Sequence, residues 1–224
     1  MVRLGETTLE MPSTKPRTLK PSATKRAAPR AAVAPPTIEP LTSDRFADIA
    51  ALFEEGGDPK WCWCTSFRFR RRDWTNSTAA DNRADLEALA RRELAPGLIA
   101  YRGDRAVGWV SLAPREDYER LTYSRTLAPV DDTPVWSIVC FVVSRRVRGQ
   151  GIAIALLDAA VDYARAHGAT TLEAYPIDTA EGRVAAASAY RGTLPMFERA
   201  GFTVVERRQW NKATPVRPIV RLRL

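Results

Sequence analysis

Residues 135–167 constrain this chain most, because three patterns meet there in a fixed order. Residues 135–143 (Val-Trp-Ser-Ile-Val-Cys-Phe-Val-Val) are rich in β-branched and aromatic side chains, as a buried strand should be. From residue 152 onward, Ile152, Ala155, Leu156, Ala159, Ala160, Tyr163 and Ala164 recur at helical spacing, with Asp158, Asp162 and Arg165 on the opposite face. Between them lies Arg145-Arg146-Val147-Arg148-Gly149-Gln150-Gly151. A strand that turns through a glycine-rich, basic loop into a helix leaves unpaired backbone N–H groups at the helix start. With the helix dipole behind them, those groups suit a phosphate. Gly149 and Gly151 let a ligand approach where a Cβ would obstruct it. Arg145, Arg146 and Arg148 bring charge suited to a diphosphate. A strand–helix turn that binds nothing is the alternative, and it has no need of three arginines in four positions.

The spacing discriminates among phosphate loops. No G-x-G-x-x-G dinucleotide pattern is present, since Ile154 stands where the third glycine belongs, and no G-x-x-x-x-G-K-[ST] loop occurs. The pattern met is [Arg/Gln]-x-x-Gly-x-[Gly/Ala], by Arg148, Gly151 and Ala153. In its strand–loop–helix setting this resembles the pyrophosphate loop of the GNAT superfamily of acyl-CoA N-acyltransferases. A second match follows. Residues 170–176 read as the next strand, and residues 181–189 are alanine-rich and helix-prone. Residues 194–200 read as a short helix ended by Gly201-Phe202, similar to the superfamily's closing Tyr-Glu-x-x-Gly-Phe. The close resemblance spans about residues 135–206.

The rest of the chain supplies compatible elements. Residues 38–41 read as a strand. A helix capped by Ser43 or Asp44 runs to Phe53 and stops at Gly56-Gly57. Residues 77–94 read as a helix, residues 97–101 and 106–113 as a hairpin, and residues 203–206 and 218–222 as the last strands. The expected fold is α/β: a mixed, mostly antiparallel central sheet with helices on both faces, over residues 39–224. Residues 1–38 differ in kind, with many Pro, Ala, Thr, Lys and Arg and few large aliphatics, and they read as disordered. The first 40 residues hold seven basic and three acidic side chains, half of the chain's net charge of +8. Such a tail can retain nucleic acid weakly, or can be a solubilising extension or a misassigned start; its resemblance to a transit peptide lacks the amphipathic periodicity. No stretch reaches transmembrane length and no secretory signal is evident, so a cytoplasmic protein with reduced thiols is expected.

What the resemblance implies is N-acetylation with acetyl-CoA as co-substrate and no metal. The diphosphate would rest on backbone from Arg148, Gly149, Gln150, Gly151, Ile152 and Ala153. The pantetheine arm would lie in a gap where the strand at 135–143 splays from the next, against Phe141, Val142 and Val143, with an N–H near Cys140–Phe141 polarising the thioester. The position of the usual general-acid tyrosine is Phe197, which cannot donate a proton. Tyr190 is the candidate substitute, or else a helix-capping aromatic. Glu173 is the candidate base, or else a strand-face carboxylate paired with an arginine. Cys140 could carry an acyl group, though a buried strand thiol is more often inert. Trp61-Cys62-Trp63-Cys64 lacks the ligands for zinc, since the chain has three Cys and one His. Instead Trp61, Trp63, Phe67, Phe69 and Trp74 would wall an apolar acceptor pocket, with Arg68, Arg70, Arg71 and Arg72 either attracting an acidic acceptor or solvating a face. Residues 114–120 read as an acceptor-side loop. The acceptor is open between a small-molecule amine and a peptide or protein amine, and a homodimer is left open. Two other readings stand: a non-catalytic acetyl-CoA sensor, motivated by Phe197, and a basic nucleic-acid-associated protein, motivated by the tail.

Overall fold

A computed structural model describes residues 34–56, 59–70, 74–180, 190–212 and 216–224. The tail to Val33, Arg71 and Arg72, and the helix expected over 181–189 lie outside the described residues. Seven strands form one sheet in the order β1-β2-β3-β4-β5-β7-β6. They are β1 (Thr37–Pro40), β2 (Gly97–Arg102), β3 (Arg105–Pro114), β4 (Trp136–Val143), β5 (Thr171–Ala174), β6 (Thr203–Arg208) and β7 (Arg217–Arg223). Only β4 and β5 run parallel, joined through the long helix; every other neighbouring pair is antiparallel.

Alternation along the strands divides the core between two faces. Ile99, Trp109 and Ala113 point to one face and pack under α1 (Phe46–Glu54), α2 (Pro59–Cys62), the segment that follows it and α3 (Ala79–Leu89). Leu98, Ala100, Val110 and Leu112 point to the other, where α5 (Ile152–Ala166) and α6 (Leu194–Arg199) cover them. A short α4 (Glu119–Tyr123) follows β3. The mostly antiparallel sheet with helices on both faces is the expected architecture.

Local chemistry sets the boundaries. Thr78 and Asp81 form a reciprocal capping box that starts α3 at Ala79, two residues later than the Ser77 start the sequence suggested. The helix stops at Leu89, short of the expected Leu94, because Leu94 packs on the opposite face of the sheet and the chain must cross over to reach it. Ser43–Arg45 form a 3-10 turn ahead of α1, so Ser43 and Asp44 do not cap the helix themselves. Ile152, Leu156, Leu157, Ala160 and Ala164 bury one stripe of α5, while Asp158, Asp162 and Arg165 face solvent. Gly108 permits this seat: a Cβ there would meet Ile152 Cγ2 at 2.6 Å and Leu156 Cδ1 at 3.0 Å, so the first turn of α5 rests almost on the backbone of β3.

Candidate functional site

Two irregularities coincide in the middle of β4. Ser111 pairs with Cys140 but Leu112 pairs with Ile138, so Val139 is an extra residue, a β-bulge. A one-residue insertion reverses the alternation. Trp136 and Ile138 before it, and Phe141 after it, therefore all face α5 and α6, while Val139 and Cys140 face the other side. On the opposite edge, β5 pairs only with Trp136, Ser137 and Ile138. Beyond that point the chain leaves β4, and Ile177 bonds to the segment at 192–194 instead, through Ile177 N–H to Gly192 O at 3.0 Å and Leu194 N–H to Ile177 O at 2.8 Å. Among the described residues, the second half of β4, from Val139 to Val143, thus has no strand partner on this edge. A backbone edge lacking its ladder is a row of donors and acceptors available to an extended ligand.

The unpaired edge of β4, hereafter the channel, runs to Val143, just ahead of the basic loop. Gly149 and Gly151 have φ of 70° and 81°, the left-handed region that glycine adopts without penalty. An added Cβ at either would meet nothing within 4 Å, so both border open space. Gly151 is the N-cap of α5 and no side chain caps the helix. The first helical bond is Ala155 N–H to Gly151 O, at 3.0 Å, leaving the N–H groups of Ile152, Ala153 and Ile154 without an intrahelical acceptor. Arg148 folds its Nε back to Val143 O at 3.3 Å, tying the loop to the end of β4. Phe141, Val142 and Val143 line the unpaired half of β4, and Arg148 to Ala153 form its mouth. These residues fit a long thiol ester with a diphosphate at one end: an edge for an amide-bearing arm, then a cradle of free N–H groups.

Glu173 is not a free base. It is fully buried on β5, and both of its oxygens accept hydrogen bonds. Oε1 accepts from Arg115 and from the Tyr175 hydroxyl, the latter at 2.7 Å; Oε2 accepts from Arg221 Nε at 2.8 Å. Arg115 also donates to Tyr175 Oη at 2.9 Å and to Leu127 O at 2.6 Å, and Arg221 grips Asp131 through two bonds. Burial first, then the Glu173 charge, pushes the Tyr175 hydroxyl far above its usual range, so it stays protonated and donating. This cluster pins residues 115–131 to β5 and β7. Arg115, Tyr175, Ser137 and Arg221 were not anticipated from sequence; the alternation that puts Glu173 and Tyr175 on one face of β5 was the available signal. The expected acceptor-side loop over 114–120 instead turns Arg115 inward, to 8% exposure.

Tyr190 is 36% exposed, and its hydroxyl accepts from Arg191 Nε at 3.0 Å. It lies two residues before Gly192, where an added Cβ would sit 3.6 Å from the Phe141 ring. Phe197 is fully buried and packs edge-on against both Phe141 and Phe202. Cys140 faces Cys64, Sγ to Sγ 3.2 Å, and both are buried. Hydrogen bonding to Cys140 and Cys62, with burial, holds the Cys64 thiol well above its usual value and keeps it unreactive. The aromatic wall is only partly realised. Trp63 and Phe67 are core residues, Trp63 stacking on Phe46, whereas Trp61 is 50% exposed. Arg68 and Arg70 pair with Asp117 and Glu119 rather than facing an open pocket. Among the described residues no group of His, Cys, Asp or Glu could hold a metal, and no helix is long and apolar enough to cross a membrane. Two shallow depressions, beside the β2–β3 turn and beside Gly168, lie away from the channel and carry none of these groups.

The model of the "Acetyltransferase (GNAT) family" matches residues 58–202. No curated protein matches the sequence. Among solved structures, the Drosophila melanogaster polyamine N-acetyltransferase that catalyses formation of N-acetylagmatine superposes with a TM-score of 0.53 at 11% identity, over 84% of this chain and 100% of that one. The ribosomal-protein-alanine N-acetyltransferase of Brucella melitensis gives 0.50 at 18% identity, over 84% and 99%. A chain of the NatC complex bound to Gag peptide and CoA gives 0.50 at 15% identity, over 85% and 99%. At these identities the likeness is one of fold.

Proposed function

Since the chain belongs to the GNAT acetyltransferase family, we propose that it moves an acetyl group from acetyl-CoA to the amine of an acceptor by direct attack in a ternary complex. The observation that carries this reading is the coincidence of the Val139 bulge, the end of β5 pairing at Ile138 and the uncapped start of α5 along one channel. When bound, acetyl-CoA supplies the activated acyl group. Arg148 to Ala153 hold its diphosphate through N–H groups and the helix dipole. Phe141, Val142 and Val143 offer it a strand edge. On the β4 edge that β5 does not pair, an N–H near Cys140–Phe141 would donate to the thioester oxygen as negative charge develops on it. The Arg115–Glu173–Arg221 cluster holds the acceptor side of β5 rigid, which supports orientation rather than proton transfer. Tyr190, exposed and two residues ahead of Gly192, serves as proton donor to the departing thiolate. Glu173 is fully buried and already accepts from Arg115, Tyr175 and Arg221, so a water takes the acceptor's proton.

Phe197 favours a second reading, a module that binds acetyl-CoA without transfer, because no phenol stands in the family's usual acid position. Calorimetric titration of acetyl-CoA into the wild type and into a protein carrying both Arg148→Glu and Gly151→Asp separates these readings from a bare fold. Binding lost in the variant establishes the channel. Release of free thiol with some amine then selects transfer over sensing, and no binding to the wild type sinks both.

A further inference from the structure

The root of the basic loop is tied to a helix on the opposite face of the sheet from α5. Ser144 is buried and stands between the end of β4 and the arginines at 145, 146 and 148. Three of its groups are engaged at once. Its N–H donates to Val107 O of β3 at 2.9 Å, its C=O accepts from the Val147 N–H at 3.1 Å, and its Oγ donates to Glu55 Oε2 at 2.6 Å. The first two bonds are local to the sheet and the turn. The third joins residues 89 positions apart and reaches the end of α1, which packs in the core layer that α5 does not share. Glu55 directly follows α1, and its N–H still bonds to Leu52 O and Phe53 O, so its backbone continues the helix. Leu52 and Phe53 are buried, and Phe53 meets Trp109 of β3 edge-on, 6.2 Å between ring centroids. Glu55 therefore stands on a packed, fixed end. Its other oxygen accepts from Arg105 at the start of β3, so the carboxylate is held at both oxygens. The Ser144 hydroxyl first, and then Arg105 against the cost of burial, hold the Glu55 carboxyl below its usual range, so it is ionised at neutral pH.

A carboxylate one hydrogen bond from the residue that opens a phosphate loop is unfavourable on charge alone, because it repels the anion the loop is to hold. What it contributes is geometry. We propose that Glu55 is a positioning residue for the diphosphate loop: it clamps Ser144 and so fixes the path of residues 145–151 before acetyl-CoA arrives. This deepens the transferase reading and rests on it. A loop ordered in advance spends no binding free energy on its own ordering, and the N–H groups at the start of α5 then stand where the diphosphate needs them. Glu55 acts through Ser144 rather than on the donor itself, and a charge-assisted bond from a packed helix end is a stiff way to do so.

The test combines calorimetric titration of acetyl-CoA with amide hydrogen exchange of the ligand-free protein. Both are made on the wild type, Glu55→Ala, Glu55→Gln, Ser144→Ala and the protein carrying Glu55→Ala with Ser144→Ala. Glu55→Ala and Ser144→Ala are each expected to weaken binding about tenfold, the scale of a hydrogen bond to a charged group, and the pair no more than either alone. Glu55→Gln removes the same charge but keeps an acceptor for Ser144, so it should recover part of the affinity. In the alanine variants the amides of residues 145–151 should exchange faster, while those of β5 and of the middle of α5 keep their protection. Tighter binding in Glu55→Ala and Glu55→Gln alike assigns the effect to charge and overturns the proposal. Additive losses in the pair, or weaker binding with unchanged exchange at 145–151, overturn it too. Protection lost across α5 and β5 as well makes Glu55 a general stabiliser and has the same consequence. A wild type that binds no acetyl-CoA refutes the transferase reading and this proposal together; a wild type that binds it, with variants that bind it equally well, refutes this proposal alone.

Discussion

Replacing Glu173 by Gln separates an anchoring carboxylate from a catalytic base. In the folded protein its two oxygens accept from Arg115, Tyr175 and Arg221, and all of these groups are buried or nearly so. An amide keeps one acceptor and turns an NH2 toward a guanidinium. Arg221 retains Asp131, but Arg115 is left with only Leu127 O and the Tyr175 hydroxyl for a charge that is 10% exposed. Removing one partner of a buried pair costs about 3–5 kcal/mol, and the surviving Asp131 contact argues for the lower end, about 3 kcal/mol. In a domain of this size that is a fall of roughly 6–12 °C in melting temperature. Urea unfolding of the wild type and of Glu173→Gln, together with turnover of any accepted amine at a temperature where both are folded, gives the two numbers needed. Loss of stability of this size with turnover reduced less than about tenfold fits the anchor. A variant with unchanged stability whose turnover falls about a hundredfold or more, and whose acidic limb of the pH–rate profile disappears, would refute the reasoning and restore Glu173 as the base. A paired replacement, Arg115→Met with Glu173→Leu, should recover much of the lost stability, because an apolar pair of similar volume is often neutral at such sites.

Gly108→Val should push the first turn of α5 off β3, costing about 1–3 kcal/mol and weakening acetyl-CoA binding, both readable by urea unfolding and calorimetry. Gly151→Ala meets no atom but must hold φ at 81°, so about 1 kcal/mol of stability is expected to be lost at most, with a larger proportional loss of acetyl-CoA affinity from the Cβ placed in the cradle. Tyr190→Phe should lower turnover about tenfold to a hundredfold with little change in KM, checked by steady-state kinetics; an unaltered rate assigns the proton to water. Burial pushes the Tyr118 hydroxyl up to about 12. A group that binds its proton more tightly when folded contributes stability that is intact below its unfolded pKa near 10 and is lost as pH rises toward 12. The urea midpoint should therefore fall across that interval, together with the rise of tyrosinate absorbance. Hydrogen bonding from Arg221, then from the Thr133 backbone, holds the Asp131 carboxyl well below its usual range. Its contribution is present above the unfolded pKa near 3.8 and is lost as pH falls, so Asp131→Asn should flatten the acid limb of the stability curve.

The features readable from sequence are those set by local pattern, and the ones hidden from it are set by register and pairing. Residues 152–167 announce a helix because its buried stripe repeats every three to four positions, and Gly149 and Gly151 announce a turn because few other residues tolerate positive φ. Nothing in Ser137-Ile138-Val139-Cys140 marks Val139 as the bulged residue. Whether it pairs depends on Ser111 and Leu112 across the sheet, about thirty positions away in the chain. The same holds for Glu173. A carboxylate inside an apolar strand suggests chemistry when its neighbours in sequence are all that is known, but Arg115 and Arg221, distant in the chain, reach it only after β3, β5 and β7 are assembled. The five members of that cluster, Arg115, Ser137, Glu173, Tyr175 and Arg221, stand on or beside four different strands, so the cluster forms only if the registers joining β3, β4, β5 and β7 are correct. Since a one-residue slip of β4 would carry Ser137 to the opposite face and break its contact with Tyr175, the cluster enforces the register on one side of the bulge. On the other side of the bulge β4 keeps β3 but has no strand partner among the described residues on its β5 edge, and that freedom is what the proposed cofactor site uses. The buried charges and the open strand edge are therefore coupled: the first fixes β4 and β5 together up to Ile138, so that the second begins at the same residue in every molecule.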